Sequence, residues 1–150
     1  MKNTIMHKWS YNHSPAEIWE YLTRADLLEL WLMKNDIQPV VGHKFQFRHN
    51  PMPNVGLNGI VDCEVLEVVP FKKLSYSWKA GAGDGTLTLD SVVVWTLHPK
   101  GAGTELELVH SGFKDEHAQG IYLAMSNGWM SNMKKIDGLI NTAKHDTAKP

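Results

Sequence analysis

Residues 115–143, DEHAQGIYLAMSNGWMSNMKKIDGLINTA, decide the fold of this chain. Apolar side chains recur within this stretch at spacings of three and four, which is the period of one face of an α-helix. The members of this stripe are Tyr122, Met125, Trp129, Met133, Ile136 and Ile140. They predict one long amphipathic helix of about five turns, which needs an apolar surface to cover its stripe.

That covering surface is predicted from residues 42–110, where the hydrophobic period changes to two. Leu74, Tyr76 and Trp78, for example, alternate with serines. Turn-rich separators of hairpin length divide these segments, and no helical pattern intervenes, which indicates an antiparallel sheet with one solvated face. The alternation is lost around residues 65–69, where we expect a β-bulge or burial on both faces.

The N-terminal part of the chain predicts one strand and two short helices. The strand is Thr4–Tyr11, which alternates polar and apolar residues. Ser14 is followed by Pro15 at the first helical position and by Glu17 three residues after the cap, which is the signature of a capping box. Asp26 is predicted to cap a second short helix in the same way.

This order of elements predicts an α+β architecture, the helix-grip fold. A curved antiparallel sheet of about six strands wraps around the long C-terminal helix, and two short helices follow the first strand. Residues 1–143 are expected to form one domain, since no linker or repeat divides them. Residues 144–150 lose the apolar stripe and are expected to form a frayed polar tail.

Composition excludes several classes of protein. The chain has 150 residues, 15 Lys plus Arg against 16 Asp plus Glu, and one cysteine. Because there is no basic excess to neutralise phosphates, nucleic-acid binding is not expected. One cysteine excludes a disulfide framework and favours a reducing, cytoplasmic location. No stretch approaches the roughly 20 apolar residues of a membrane span.

The ordered set of motifs resembles the START-like (SRPBCC) superfamily, and within it the group named for the activator of the heat-shock-protein-90 ATPase. The matching pieces are Ser14-Pro15-Ala16-Glu17-Ile18-Trp19, residues 27–31, 42–45 and 59–70, Leu74-Ser75-Tyr76-Ser77-Trp78, residues 103–106, and Gly128-Trp129. Together they extend over residues 4–143. The resemblance implies the helix-grip fold that the periodicity already indicates.

The sequence carries no recognisable catalytic or metal-binding set. It lacks His-Glu-x-x-His and Gly-x-Ser-x-Gly, the signatures of zinc hydrolases and serine hydrolases. His43 and His49 share one strand parity but lie roughly 20 Å apart along an extended chain, so they cannot share an ion and are expected to be solvated. Cys63 has apolar neighbours on its face and is expected to be a small core residue. We predict no metal, no cofactor and no catalytic residues.

The remaining signal is aromatic, and it leaves two interpretations open. Inward-facing rings between the sheet and the long helix form either a closed core or the lining of an apolar pocket. His110 continues the inward parity of its strand and is either a hydrogen-bonded core residue or a ligand contact. The predicted cavity lining is Trp31, Met33, Phe45, Phe47, Cys63, Tyr76, Trp78, Trp95, His110, Met125 and Trp129.

The leading functional hypothesis is therefore a small protein that binds an apolar or aromatic small molecule without chemistry of its own. The resemblance implies two alternatives. One is a co-chaperone, with a heat-shock-protein-90 ATPase as partner and a role in stress response. The other is a cyclase-like or aromatase-like enzyme, in which Tyr76 or His110 acts as acid or base. We expect a monomer or a weak homodimer.

Overall fold

The computed structural model describes residues 4–113 and 119–148, and these fold into seven strands and three α-helices. A short 3-10 turn, Pro53–Val55, lies between the third and fourth strands. In chain order the elements are β1 (Thr4–Tyr11), α1 (Pro15–Thr23), α2 (Ala25–Trp31), β2 (Lys34–Asn35), β3 (Lys44–Arg48), β4 (Ile60–Val69), β5 (Lys73–Gly81), β6 (Leu87–Lys100), β7 (Gly103–Ser111) and α3 (Gln119–Ala148).

The strands form one antiparallel sheet in the order β1-β7-β6-β5-β4-β3-β2. The sheet curls around α3, which confirms the predicted helix-grip fold. It has seven strands instead of about six, because Lys34–Asn35 pairs with Arg48 and Phe47 at one edge. A strand of two residues is too short to show a period of two, so the sequence gives no signal for it. The predicted irregularity in β4 is confirmed by a register shift between Val65 and Glu67.

The two short helices begin differently from each other. At α1 the predicted capping box is present, since Ser14 accepts from the Glu17 amide and the Glu17 carboxylate accepts from the Ser14 amide. At α2 the predicted cap is wrong. Arg24 occupies the cap position without a capping side-chain hydrogen bond, and Asp26 lies in the first turn. The Asp26 carboxylate is paired with the Arg24 guanidinium at 2.9 Å, which gives it a partner other than the backbone.

Helix α3 carries the predicted apolar stripe. Trp129, Met133, Ile136 and Ile140 on it are all buried against the sheet and the short helices. Residues 115–118 of the predicted helix lie outside the described residues, and α3 continues beyond residue 143 to Ala148. Neither this helix nor any other in the described part of the chain is long and apolar enough to span a membrane.

Polar contacts fasten one flank of α3 to β1 and to the residues that follow it. Each contact joins a polar side chain to a helical or strand backbone oxygen, or to a carboxylate. They are Tyr122 hydroxyl to Thr4 carbonyl at 3.0 Å, His7 Nε2 to Ser126 carbonyl at 2.9 Å, Tyr11 hydroxyl to Met133 carbonyl at 2.6 Å, and His13 Nε2 to Asp137 carboxylate at 2.9 Å. This flank of α3 is therefore positioned by directional hydrogen bonds.

Candidate ligand site

The concave space between the sheet and α3 has two ends, and one of them is filled by rings. Neighbouring rings there lie mostly edge to face, with centroids 5.1 to 5.8 Å apart. This is the arrangement that aromatic pairs prefer. We call the set the aromatic network; its members are Trp31, Phe45, Phe47, Tyr76, Trp78, Trp95, His110 and Trp129, and all are buried.

A chain of hydrogen bonds crosses the aromatic network and fixes the protonation of His110. The Trp129 indole N–H donates to His110 Nδ1 at 3.0 Å, so this nitrogen carries no proton. Nε2 must then hold the proton, which it donates to Ser91 Oγ at 2.8 Å. The Ser91 hydroxyl in turn donates to the Trp78 carbonyl at 2.8 Å. Burial lowers the pKa of His110 to about 3, so the ring is neutral at physiological pH.

Two further polar tips in the aromatic network point at protein atoms. The Trp95 indole N–H donates to the Tyr76 hydroxyl at 3.0 Å, and the Trp31 indole N–H donates to the Tyr21 carbonyl at 2.9 Å. Burial raises the pKa of Tyr76 above its ordinary value, which keeps the phenol neutral. These groups hold the rings in fixed positions.

The other end of the concave space is open and contains a cavity of about 390 Å³. Its wall is almost wholly apolar and is drawn from the sheet, from α3, and from the segments that follow α2 and β3. We call it the apolar cavity; its lining residues are Met33, His49, Asn50, Met52, Leu57, Val61, Trp78, Ala80, Leu89 and Met125.

The segment between β3 and β4 closes one side of the apolar cavity, and backbone contacts hold it in place. Met52 and Leu57 form an isolated antiparallel bridge. The His49 amide donates to the Gly59 carbonyl at 2.8 Å. Gly59 has a φ of +95°, and a Cβ there would lie 2.4 Å from the His49 carbonyl oxygen, so only glycine allows this approach. This side of the cavity is thus formed by a loop whose backbone position is defined.

The predicted lining residues other than Cys63 are divided between these two ends. Met33, Trp78 and Met125 line the apolar cavity. The aromatic network behind it contains Trp31, Phe45, Phe47, Tyr76, Trp95, His110 and Trp129. A role for these seven as ligand contacts stays a prediction.

Cys63 lies at neither end. It borders a different feature, a groove of about 550 Å³ on the outer face of the sheet, which Phe45 of the aromatic network also borders. Its other lining residues are charged or polar: Asp36, Lys44, Gln46, Asp62, Glu64, Ser77 and Lys79. An apolar ligand would bury these groups at a cost, so the larger groove does not match the predicted ligand class. Burial raises the pKa of the Cys63 thiol, which keeps it protonated and unreactive.

Most residues of the cavity wall were not among the lining residues predicted from the sequence. Val61 and Ala80 carried a usable signal, since each shares strand parity with an inward neighbour, Cys63 and Trp78 respectively. Asn50 and Met52 follow the end of a strand, where no periodicity applies. His49 was expected to be solvated, but the structure places it half-buried on the cavity wall.

A metal centre finds no support in the described residues. Within residues 4–113 and 119–148, no group of three or more His, Cys, Asp or Glu side chains is placed to hold an ion. The described histidines are instead distributed over separate hydrogen bonds, such as that of His43 Nε2 to the Asp36 carbonyl at 3.0 Å.

Comparison with protein families gives one match that extends over most of the chain. The family model described as Activator of Hsp90 ATPase homolog 1-like protein matches residues 12–141. A search of curated proteins finds no match. The chain is similar to the solved structure of protein MLL2253 from Mesorhizobium loti, with 37% identity, coverage of 93% of this chain and 97% of that chain, and a TM-score of 0.82.

Two more solved structures share the fold. Protein BH1534 from Bacillus halodurans is 26% identical, with 88% of this chain and 91% of that chain covered and a TM-score of 0.68. The Aha1 dimer from Colwellia psychrerythraea is 21% identical, with 91% of this chain and 94% of that chain covered and a TM-score of 0.72. The last similarity is evidence of fold alone.

Proposed function

The chain belongs to the Activator of Hsp90 ATPase homolog 1-like family, and from that premise we propose that it binds an apolar or aromatic small molecule in the apolar cavity. The observation that carries this proposal is the cavity itself. Its volume of about 390 Å³ lies within the range of roughly 300–1,000 Å³ found for small-molecule sites. Transfer of an apolar ligand from water to this wall is favourable because little polar surface must be desolvated.

The side chains that line the cavity are also suited to ligand binding. Met33, Met52 and Met125 supply three thioether side chains, which are unbranched and polarizable and adapt to ligands of different outline. Trp78 supplies one aromatic face between the cavity and the closed aromatic network. The ligand would therefore rest on a rigid ring on one side and on adaptable side chains on the other.

Acid–base catalysis is less well supported than binding. Both ring nitrogens of His110 are engaged by Trp129 and Ser91, so no nitrogen is left for a substrate proton. The Tyr76 hydroxyl is fully buried and accepts from Trp95. Neither residue is among those that line the apolar cavity. Their contacts support a structural role.

The test of this proposal is a two-dimensional proton–nitrogen NMR titration with fatty acids, sterol-like and flavonoid-like compounds. We expect one class to shift the Trp78 indole signal saturably. Ala80→Leu adds bulk inside the cavity and should weaken binding at least tenfold. Ala124→Leu is the matched control, since Ala124 is exposed on α3 and should leave the affinity unchanged. If Ala80→Leu binds as tightly as the parent chain, the apolar cavity is not the site.

The family description and one relative suggest two protein partners, an Hsp90-type ATPase and a second copy of this chain. Both can be tested separately from ligand binding. The family is named for an activator of the Hsp90 ATPase, and the Colwellia Aha1 protein forms a dimer. Added to a purified Hsp90-type ATPase, this chain should leave the turnover rate unchanged if small-molecule binding is its function. Sedimentation of the parent chain and of the Ala80→Leu variant should report a monomer or a weak homodimer in both cases.

A further inference from the structure

The indole N–H groups of the aromatic network are not all satisfied in the same way. Trp31, Trp95 and Trp129 each donate to a defined protein acceptor, at 2.9 to 3.0 Å. Trp78 is equally buried, with 3% of its surface exposed, but the described part of the chain provides no acceptor for its Nε1–H. A buried tryptophan usually finds a protein acceptor for its N–H, so the surroundings of Trp78 Nε1 decide what this group can bind.

We infer that the Trp78 Nε1–H is accessible from the apolar cavity. Every side-chain nitrogen or oxygen that is shut off from a water-sized probe has a hydrogen-bond partner in the described part of the chain. Trp78 Nε1 has none, so it must be reachable by such a probe. Because Trp78 lines the apolar cavity and the rest of the residue is buried, that access comes from the cavity.

Apart from Trp78, the wall of the apolar cavity has few groups that could bind a ligand oxygen. Its other polar side chains are His49 and Asn50, both from the segment after β3. His49 Nδ1–H already donates to the Asn50 carbonyl at 2.7 Å, and Asn50 is exposed. A donor surrounded by apolar side chains discriminates strongly between ligands with and without a hydrogen-bond acceptor. A ligand without an acceptor would leave the N–H desolvated and unpaired.

We propose that the Trp78 indole N–H is the specificity-determining group of the apolar cavity, and that its ligand is an apolar ring compound bearing a carbonyl or ether oxygen that accepts this hydrogen bond. The inference rests on the proposed function, since it concerns the same cavity. It excludes pure hydrocarbons as the preferred ligands. It also places the ligand oxygen beside β5, the strand on which Trp78 lies.

The experiment compares 9-fluorenone with fluorene, which have nearly the same shape and differ in a carbonyl against a methylene group. Titrations use the full chain and follow the indole signals by proton–nitrogen NMR. Fluorenone should bind about tenfold more tightly than fluorene, as expected for one hydrogen bond in a desolvated site. It should also move the Trp78 Nε1–H proton downfield, whereas fluorene should not.

Trp78→Phe removes the N–H and keeps an aromatic ring. In this variant the tenfold preference should fall to near one, because both probes lose the same part of the ring face and only fluorenone loses a hydrogen bond. Trp9→Phe is the control, because Trp9 lies at the surface under the Lys134 ammonium and outside the cavity wall. It should keep the preference of the parent chain.

The outcomes separate the two proposals. Equal binding of both probes to the parent chain, or a preference that survives Trp78→Phe, overturns the role of the N–H and leaves a binding cavity in place. Failure of both probes to bind up to their solubility limits counts against the proposed function and against the inference with it. If Trp78→Phe does not fold, the downfield shift in the parent chain decides, since it needs no variant.

Discussion

The closed and open ends of one concave space use inward-facing apolar residues in opposite ways. At the closed end, Trp95 and Trp129 stack edge to face and each donates its N–H to another buried side chain. At the open end, Met33 and Met125 line a cavity, and their thioether side chains have no N–H to donate. The difference teaches that a ring with a fixed hydrogen-bond partner fills space, whereas a flexible side chain without one can leave space for a ligand.

Trp78 belongs to both ends, and this makes the comparison informative. Its ring contacts Trp129 at 5.3 Å between centroids, and its carbonyl accepts from Ser91. Its indole N–H, in contrast, has no acceptor in the described part of the chain, and we infer that it is reached from the cavity. The boundary between core and site therefore runs through a single side chain.

The largest effect is expected at the closed end. Trp129→Ala removes a ring that contacts three others and leaves His110 Nδ1 without its donor. We expect a loss of about 3–5 kcal/mol in the free energy of unfolding, measured by urea denaturation. Trp129→Phe keeps most of the packing and should cost less. A loss below about 1 kcal/mol in Trp129→Ala would show that the closed end is not closely packed.

Sequence reasoning predicted the fold well because the fold depends on periods that many residues share. The α3 stripe and the strand alternation are each repeated over several residues, so one irregular position does not hide them. The two-residue β2 and the cap of α2 depend on one or two residues, and there the prediction failed or gave nothing.

The candidate site was less predictable for a related reason. Strand parity identifies Trp78 and Trp95 as inward-facing but cannot say which of them lines a cavity and which fills the core. That distinction depends on where α3 lies over the sheet and on which acceptor meets each N–H. Trp95 meets the hydroxyl of Tyr76, which is on the neighbouring strand β5. Such contacts arise only from the assembled fold.

An intermediate effect is expected from acid, through the neutral His110 of the closed end. The unfolded chain binds a proton on this ring at its ordinary pKa of 6.5, whereas the folded chain does so only near 3. Between these values the unfolded state holds more protons, so the free energy of unfolding falls as pH falls. The decline should approach about 1.4 kcal/mol per pH unit below pH 6.

The measurement is urea denaturation at several pH values from 7 to about 4.5. Other groups titrate in this range, so the quantity of interest is the difference between the parent chain and His110→Gln, which lacks the titrating ring. The gap in stability between the two should narrow as pH falls. Parallel curves would mean that the pKa of His110 is the same in the folded and unfolded chains, so that burial between Trp129 and Ser91 does not hold the ring neutral in acid.

The smallest effect is expected at the open end, and α3 offers a matched pair of methionines to measure it. Met133 is fully buried, while Met125 is half-buried and borders the apolar cavity. Met133→Ala creates a new cavity and should cost about 2–5 kcal/mol. Met125→Ala only enlarges space that is already empty, so its cost should stay near 1 kcal/mol. Equal losses at the two positions would mean that the space beside Met125 is packed as tightly as the core, and the distinction between the two ends would fail.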